Sequence, residues 1–151
     1  MSKTLKIVLI VVGATILIVA GAGVAGWTWF AKNKARLAAL GTQATTEGTA
    51  FAHGSTPAQC IAEAIRRGDR CDGFVCEAGA KIFLRACAKA ATTKGKECAG
   101  VPPRSEIMQS ALWALGRCRE SPHPDEQRCT RIIGSLQEHC QELAAGKPGA
   151  R

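Results

Sequence analysis

Hydrophobic and polar positions divide the chain into two unlike parts. Residues Ile7 to Phe30 form a run of 24 without a charge, 18 of them apolar and the rest Gly and Thr. A helix rises about 1.5 Å per residue, so about 20 residues cross a hydrocarbon core. The run predicts a transmembrane helix over 7–30 acting as a signal anchor. Its far edge carries Trp27, Trp29 and Phe30, then Lys32, Lys34 and Arg36. Indole rings settle at headgroup depth and cations reach lipid phosphate, so Trp27, Trp29, Lys32, Lys34 and Arg36 are the expected membrane-interface residues. A rival reading is a cleaved signal peptide. Lys3 and Lys6 would be its basic region, and Ala20-Gly21-Ala22 its A-x-A cleavage site. The aromatic and basic stop beyond that site favours the anchor. Gly13, Gly21, Gly23 and Gly26 are small enough for close helix approach, which makes self-association of the membrane helix a partner candidate.

The pattern then changes. Residues 31–55 read as a juxtamembrane segment and a flexible linker, since Gly41 to Ser55 is Gly- and Thr-rich with no apolar period. Helical periodicity follows in four segments spanning 56–146. The first runs from Pro57 to Arg67, opened by the capping-box pattern Thr56-Pro57-Ala58-Gln59 and stopped at Gly68. The second, capped by Asp72, runs from Phe74 to Ala91 with an inward stripe of Cys76, Ala80, Phe83, Cys87 and Ala90. The third follows Pro102-Pro103, from Arg104 to Arg119, with Ile107, Ala111, Ala114, Leu115 and Cys118 inward. The fourth opens at Pro124 and carries Cys129, Ile132, Ile133, Leu136, Cys140 and Leu143. Residues 147–151 are an expected disordered tail. No segment alternates like a strand. The predicted fold is all-α: an N-terminal transmembrane helix plus a disulfide-stapled domain of four helices in two antiparallel hairpins.

Charge alters this picture less than its total suggests. The net charge is +8, but residues 1–40 hold five cations and no acid, leaving 15 cations and 12 acids beyond them. The excess flanks the apolar run, where headgroups attract it. Arginine clusters farther on are interspersed with acids and read as solvated helix faces. Aromatic stacking platforms are scarce, so no nucleic acid partner is expected.

The eight cysteines change it more. They are Cys60, Cys71, Cys76, Cys87, Cys98, Cys118, Cys129 and Cys140, and five of the seven intervals are 11 residues. Eleven residues turn a helix about 20° past three full turns, so such cysteines share a face but lie roughly 16 Å apart. A disulfide needs Cα atoms about 4.4–6.8 Å apart, so each cysteine must pair with another element. In an antiparallel hairpin, paired positions share a constant sum. Cys60 with Cys87 and Cys71 with Cys76 satisfy one such sum, and Cys118 with Cys129 brackets the Ser121–Pro124 turn. Cys98 with Cys140 remains. Eight cysteines allow 105 pairings in principle. The motif Cys60-x10-Cys71-x4-Cys76-x10-Cys87 resembles the twin Cys-x9-Cys helical hairpins of the mitochondrial intermembrane space, with one more residue in each half. The resemblance spans 28 of 151 residues and is one of geometry. Disulfides persist outside the cytosol, so the domain is expected to be periplasmic or extracellular. Only about 17 large apolar side chains lie between positions 57 and 145, a thin core that needs staples.

Chemistry is sparse. There is no Cys-x-x-Cys, G-x-S-x-G, H-E-x-x-H or P-loop, and the cysteine spacing lacks zinc knuckles. No catalytic residue, cofactor or metal is expected, and the chain does not read as an enzyme. Trp113 and Ile82 fall off the inward stripes. They either dock the two hairpins or serve as partner-binding anchors for an unidentified envelope protein. The expected function is a single-pass cell-envelope protein whose extracytoplasmic helical domain is a protein-interaction or structural module. The alternative is a secreted cysteine-rich binder or effector.

Overall fold

The computed structural model describes residues 3–91, 98–120 and 125–146, with side chains from Val11 onward. Among the described residues there are five helices and no strand: α1 (Lys3–Ala52), α2 (Pro57–Asp69), α3 (Phe74–Ala90), α4 (Ile107–Arg119) and α5 (Glu126–Ala144). The chain forms two compact units, Met1–Ala38 and Ala39–Arg151. The Ser121–Pro124 turn, the Thr92–Lys96 break and the tail at 147–151 lie outside the described residues.

The first unit is helical and bare. Its apolar window has a mean hydropathy of 1.8 and no burial, so this helix is long and apolar enough to cross a membrane by length and composition. Leu17, Ile18, Trp27 and Trp29 are exposed. The two hydroxyls of the run are satisfied within the helix: Thr15 Oγ1 donates to the Val11 carbonyl and Thr28 Oγ1 to that of Ala25, both at 2.9 Å. A helix that satisfies its own backbone and hydroxyl groups leaves little that needs water.

In the second unit the expected linker is replaced by helix as far as Ala52. The reason is packing by small residues. Ala44, Gly48 and Ala52 recur every four positions and are buried. A Cβ on Gly48 would lie 2.5 Å from the Phe83 carbonyl oxygen, so only glycine lets α1 approach the α3 backbone this closely. Phe51 meets Phe83 at a 5.7 Å centroid distance, tilted by 59°, which is the edge-to-face range that aromatic pairs prefer. Thr45 and Thr49 bond back to the carbonyls of Gly41 and Thr45. The helix ends before Gly54, whose φ of +84° only glycine adopts freely.

The capping box at Thr56 and Gln59 is present, with Pro57 in the first turn. Gly68 does not stop the helix. It is buried inside α2, and a Cβ there would strike Ile132, so its smallness lets α5 approach. Asp72 does not cap α3; Gly73 holds that position without a side-chain bond. Asp125 caps α5 by accepting a 2.8 Å bond from Arg128 N.

Helix α3 packs on α2 and α5, and α5 also packs on α4 and α2. Because α1, α2 and α5 all press on α3, its buried arc is wider than the expected stripe. Glu77, Leu84 and Ala88 join Ala80, Phe83 and Cys87, while Cys76 and Ala90 are exposed. Leu143 also departs from its expected inward position and is 46% exposed. Two apolar clusters result, one centred on Phe83, Leu84, Ile132 and Leu136, the other on Ile65, Cys118 and Ile133.

Four disulfides hold these elements together. Cys60–Cys87 ties α2 to α3 with Cα atoms 5.8 Å apart, and Cys71–Cys76 (5.4 Å) closes the connection between them. Cys118–Cys129 (5.9 Å) joins α4 to α5. Cys98–Cys140 (5.5 Å) fixes the segment ahead of α4 onto α5. No cysteine is free.

Candidate functional site

The eight cysteines are all consumed by these cross-links, in the same pairs that the spacing suggests. Cystine sulfur is neither a thiolate nucleophile nor a metal ligand. Among the described residues no three His, Cys, Asp or Glu side chains gather in a metal-binding arrangement.

Trp113 is half-buried and packs against both apolar clusters. That position makes it a contact between helices. Ile82 is 36% exposed on α3 and approaches Gly41 of α1. Trp27, Trp29, Lys32, Lys34 and Arg36 are all exposed on α1.

Ion pairs account for most of the arginines. Arg67 joins three helices: its guanidinium bonds Glu63 at 2.9 Å, pairs with Glu47 of α1, and stacks 3.9 Å from the Phe83 ring centroid. The Arg67 bond holds the Glu47 carboxyl below the usual carboxylate range. Glu63 is lowered chiefly by its bond to Arg66, which in turn is raised. Glu77 of α3 accepts a bidentate pair of bonds from Arg131 of α5, at 2.9 and 3.0 Å, and meets Lys81 at 2.9 Å. These bonds, Arg131 first, overcome the cost of burial and bring the Glu77 carboxyl down to about 2.

This network floors a cleft of about 380 Å³ lined by Gly73, Phe74, Glu77, Lys81, Arg128 and Arg131. Phe74 is 80% exposed at its edge. Every charged group there is already bonded: Arg128 donates to the Gly68 carbonyl and pairs with Asp125. The cleft offers a shallow contact surface with one aromatic anchor.

A second exposed apolar surface lies on α4, where only Ala114 and Cys118 are buried. Ile107 was expected to face inward but is 81% exposed, Met108 is 72% and Leu112 is 63% exposed. Gln137 of α5 sets this orientation. Its Nε2 donates to the Pro102 carbonyl and to Ser110 Oγ, at 2.8 and 2.6 Å, turning the Ser110–Ala114 side inward. The sequence did hold a signal for the second face. Ten consecutive residues from Ile107 to Gly116 carry no charge, more apolar surface than one inward stripe accounts for.

Fold and surfaces together define an all-helical, disulfide-tied domain that follows a long apolar helix. Comparison with protein-family models, with curated proteins and with solved structures found no match to the chain.

Proposed function

We propose that the chain is a single-pass cell-envelope protein. Residues 7–30 anchor it in a bilayer, and its disulfide-tied unit stands outside the cytoplasm as a structural or protein-interaction module. Within that unit, α2 with α3 and α4 with α5 act as two antiparallel hairpins, each closed by its own disulfide. The observation that carries the reading is the pairing of an uncharged 24-residue apolar run with a domain whose cysteines are all oxidised. Oxidised cystines persist where glutathione and thioredoxin do not reach them. Arginine-tied helices and cross-linked connections supply a rigid surface, and Phe74 beside the α3–α5 cleft is the side chain best placed to anchor a protein partner.

Protease protection in sealed native membranes tests the topology. The unit from Ala39 onward is digested from the non-cytoplasmic side, while residues 7–30 stay with the membrane after alkaline extraction. Protection of the cystine-bearing unit from that side, together with its accessibility from the cytoplasm, refutes the reading.

A further inference from the structure

We propose that the outward face of α4 is a second membrane contact, an interfacial helix face resting in the headgroup layer of the bilayer that holds residues 7–30. The inference rests on the anchored reading above. Ile107, Met108, Ala111, Leu112 and Leu115 fall within an arc of about 140° on α4, at 100° per residue. The exposed area of Ile107, Met108 and Leu112 is on the order of 400 Å², a size that marks an interaction surface on a soluble unit.

The charges around this face choose its occupant. Arg119 falls on the same arc at the C-terminal end and is 75% exposed; Arg104, 60% exposed, precedes the N-terminal end. The acids nearest in sequence, Glu106 and Glu120, project off the arc. The ion-pair partners of the two arginines, Glu126 and Glu138, belong to α5 and not to the face. A second copy of α4 would meet this face badly. Packed in parallel it sets Arg119 against Arg119, and packed antiparallel it sets Arg119 against Arg104. An anionic headgroup layer attracts both exposed arginines at once, and the apolar arc between them enters the acyl boundary, as interfacial helices do. Reach is also adequate. Nine peptide steps separate Phe30 from Ala39, a span of at most about 30 Å when extended and about 13 Å when helical.

The test uses the full chain in vesicles of phosphatidylcholine, with and without phosphatidylglycerol. An environment-sensitive fluorophore is attached through Leu112→Cys, or through Ala58→Cys at an exposed position of α2 as a control. The native cysteines are all oxidised, so each label is specific. In anionic vesicles the label at 112 shifts to the blue, is quenched by a lipid-borne quencher and is shielded from iodide; the label at 58 is not. Replacing both arginines, Arg104→Gln with Arg119→Gln, lowers the ratio of lipid-contacting to water-exposed label by up to about fivefold per arginine. Circular dichroism and the absence of any thiol beyond the introduced one show that each variant is folded. A label at 112 as open to iodide as that at 58 overturns the proposal. So does shielding without lipid quenching that rises with protein-to-lipid ratio, which identifies a second copy as the occupant. Retention of the chain after alkaline extraction with a water-exposed label sinks this inference alone. Release of the chain sinks the anchored reading and this inference with it.

Discussion

Replacing Glu77 by glutamine probes the electrostatic tie between α3 and α5. The side chain is nearly buried, with two bonds from Arg131 and one contact from Lys81. Glutamine keeps the shape and removes the charge. A carboxyl held at about 2 instead of 4.5 carries at most about 3 kcal/mol of folding free energy, at about 1.4 kcal/mol per pH unit. Arg131 is 50% exposed, so solvent screens its side of the pair and about 2 kcal/mol is the expected contribution. The sign follows from the lowered value. The contribution is complete above about 4.5, fades as pH falls and is gone near 2. Glu77→Gln is therefore expected to lower the melting temperature by roughly 5–10 °C at neutral pH. The gap between variant and wild type narrows from about pH 4.5 downward and closes near 2. Thermal unfolding of the full chain in detergent, followed by near-ultraviolet circular dichroism at matched pH, measures it. Glu47 and Glu63 titrate in both proteins and cancel in the difference. An equal gap at pH 7 and pH 2, or no gap at pH 7, refutes the assignment.

Other expectations follow from packing and cross-linking. Gly48→Ala forces a methyl group onto the α3 backbone and is expected to cost about 1–3 kcal/mol, read as a lower melting temperature; an unchanged value contradicts the close approach of α1 to α3. Leu112→Gln, on the exposed arc of α4, is expected to alter stability by less than about 0.5 kcal/mol, and a larger loss in urea unfolding argues that the face is covered within the unit. Replacing Cys98 and Cys140 together by serine opens a cross-link 42 residues wide, whereas Cys71 and Cys76 are separated by 5. Loop entropy then predicts losses of about 4 and about 2 kcal/mol, and the reverse order in denaturant midpoints refutes that account.

The cysteine positions made much of the second unit legible. An interval of 11 forbids pairing within a helix, and the constant-sum rule selects partners across a turn. Capping chemistry at Thr56 and Gln59 was equally readable, because it needs only neighbours in sequence. The helical stretch before Ala52 was not. Its packing surface is Ala44, Gly48 and Ala52, residues that hydropathy scores as linker, and their value lies in the closeness they permit to Phe83. Gly68 deceived for the same reason: glycine serves close approach as well as helix termination. The face of α4 was misassigned because its apolar residues exceed one stripe. Which side turns inward depends on Gln137 reaching Ser110 and Pro102, a contact between distant parts of the chain.

A non-reducing peptide map of the mature protein, with its intact mass, tests the central proposal of an anchored, fully oxidised unit most directly. The account predicts a chain that retains residues 7–30 and yields the cross-linked peptides 60–87, 71–76, 98–140 and 118–129 with no reactive thiol. A mature chain beginning at Gly23, or cysteines that alkylate without prior reduction, contradicts it.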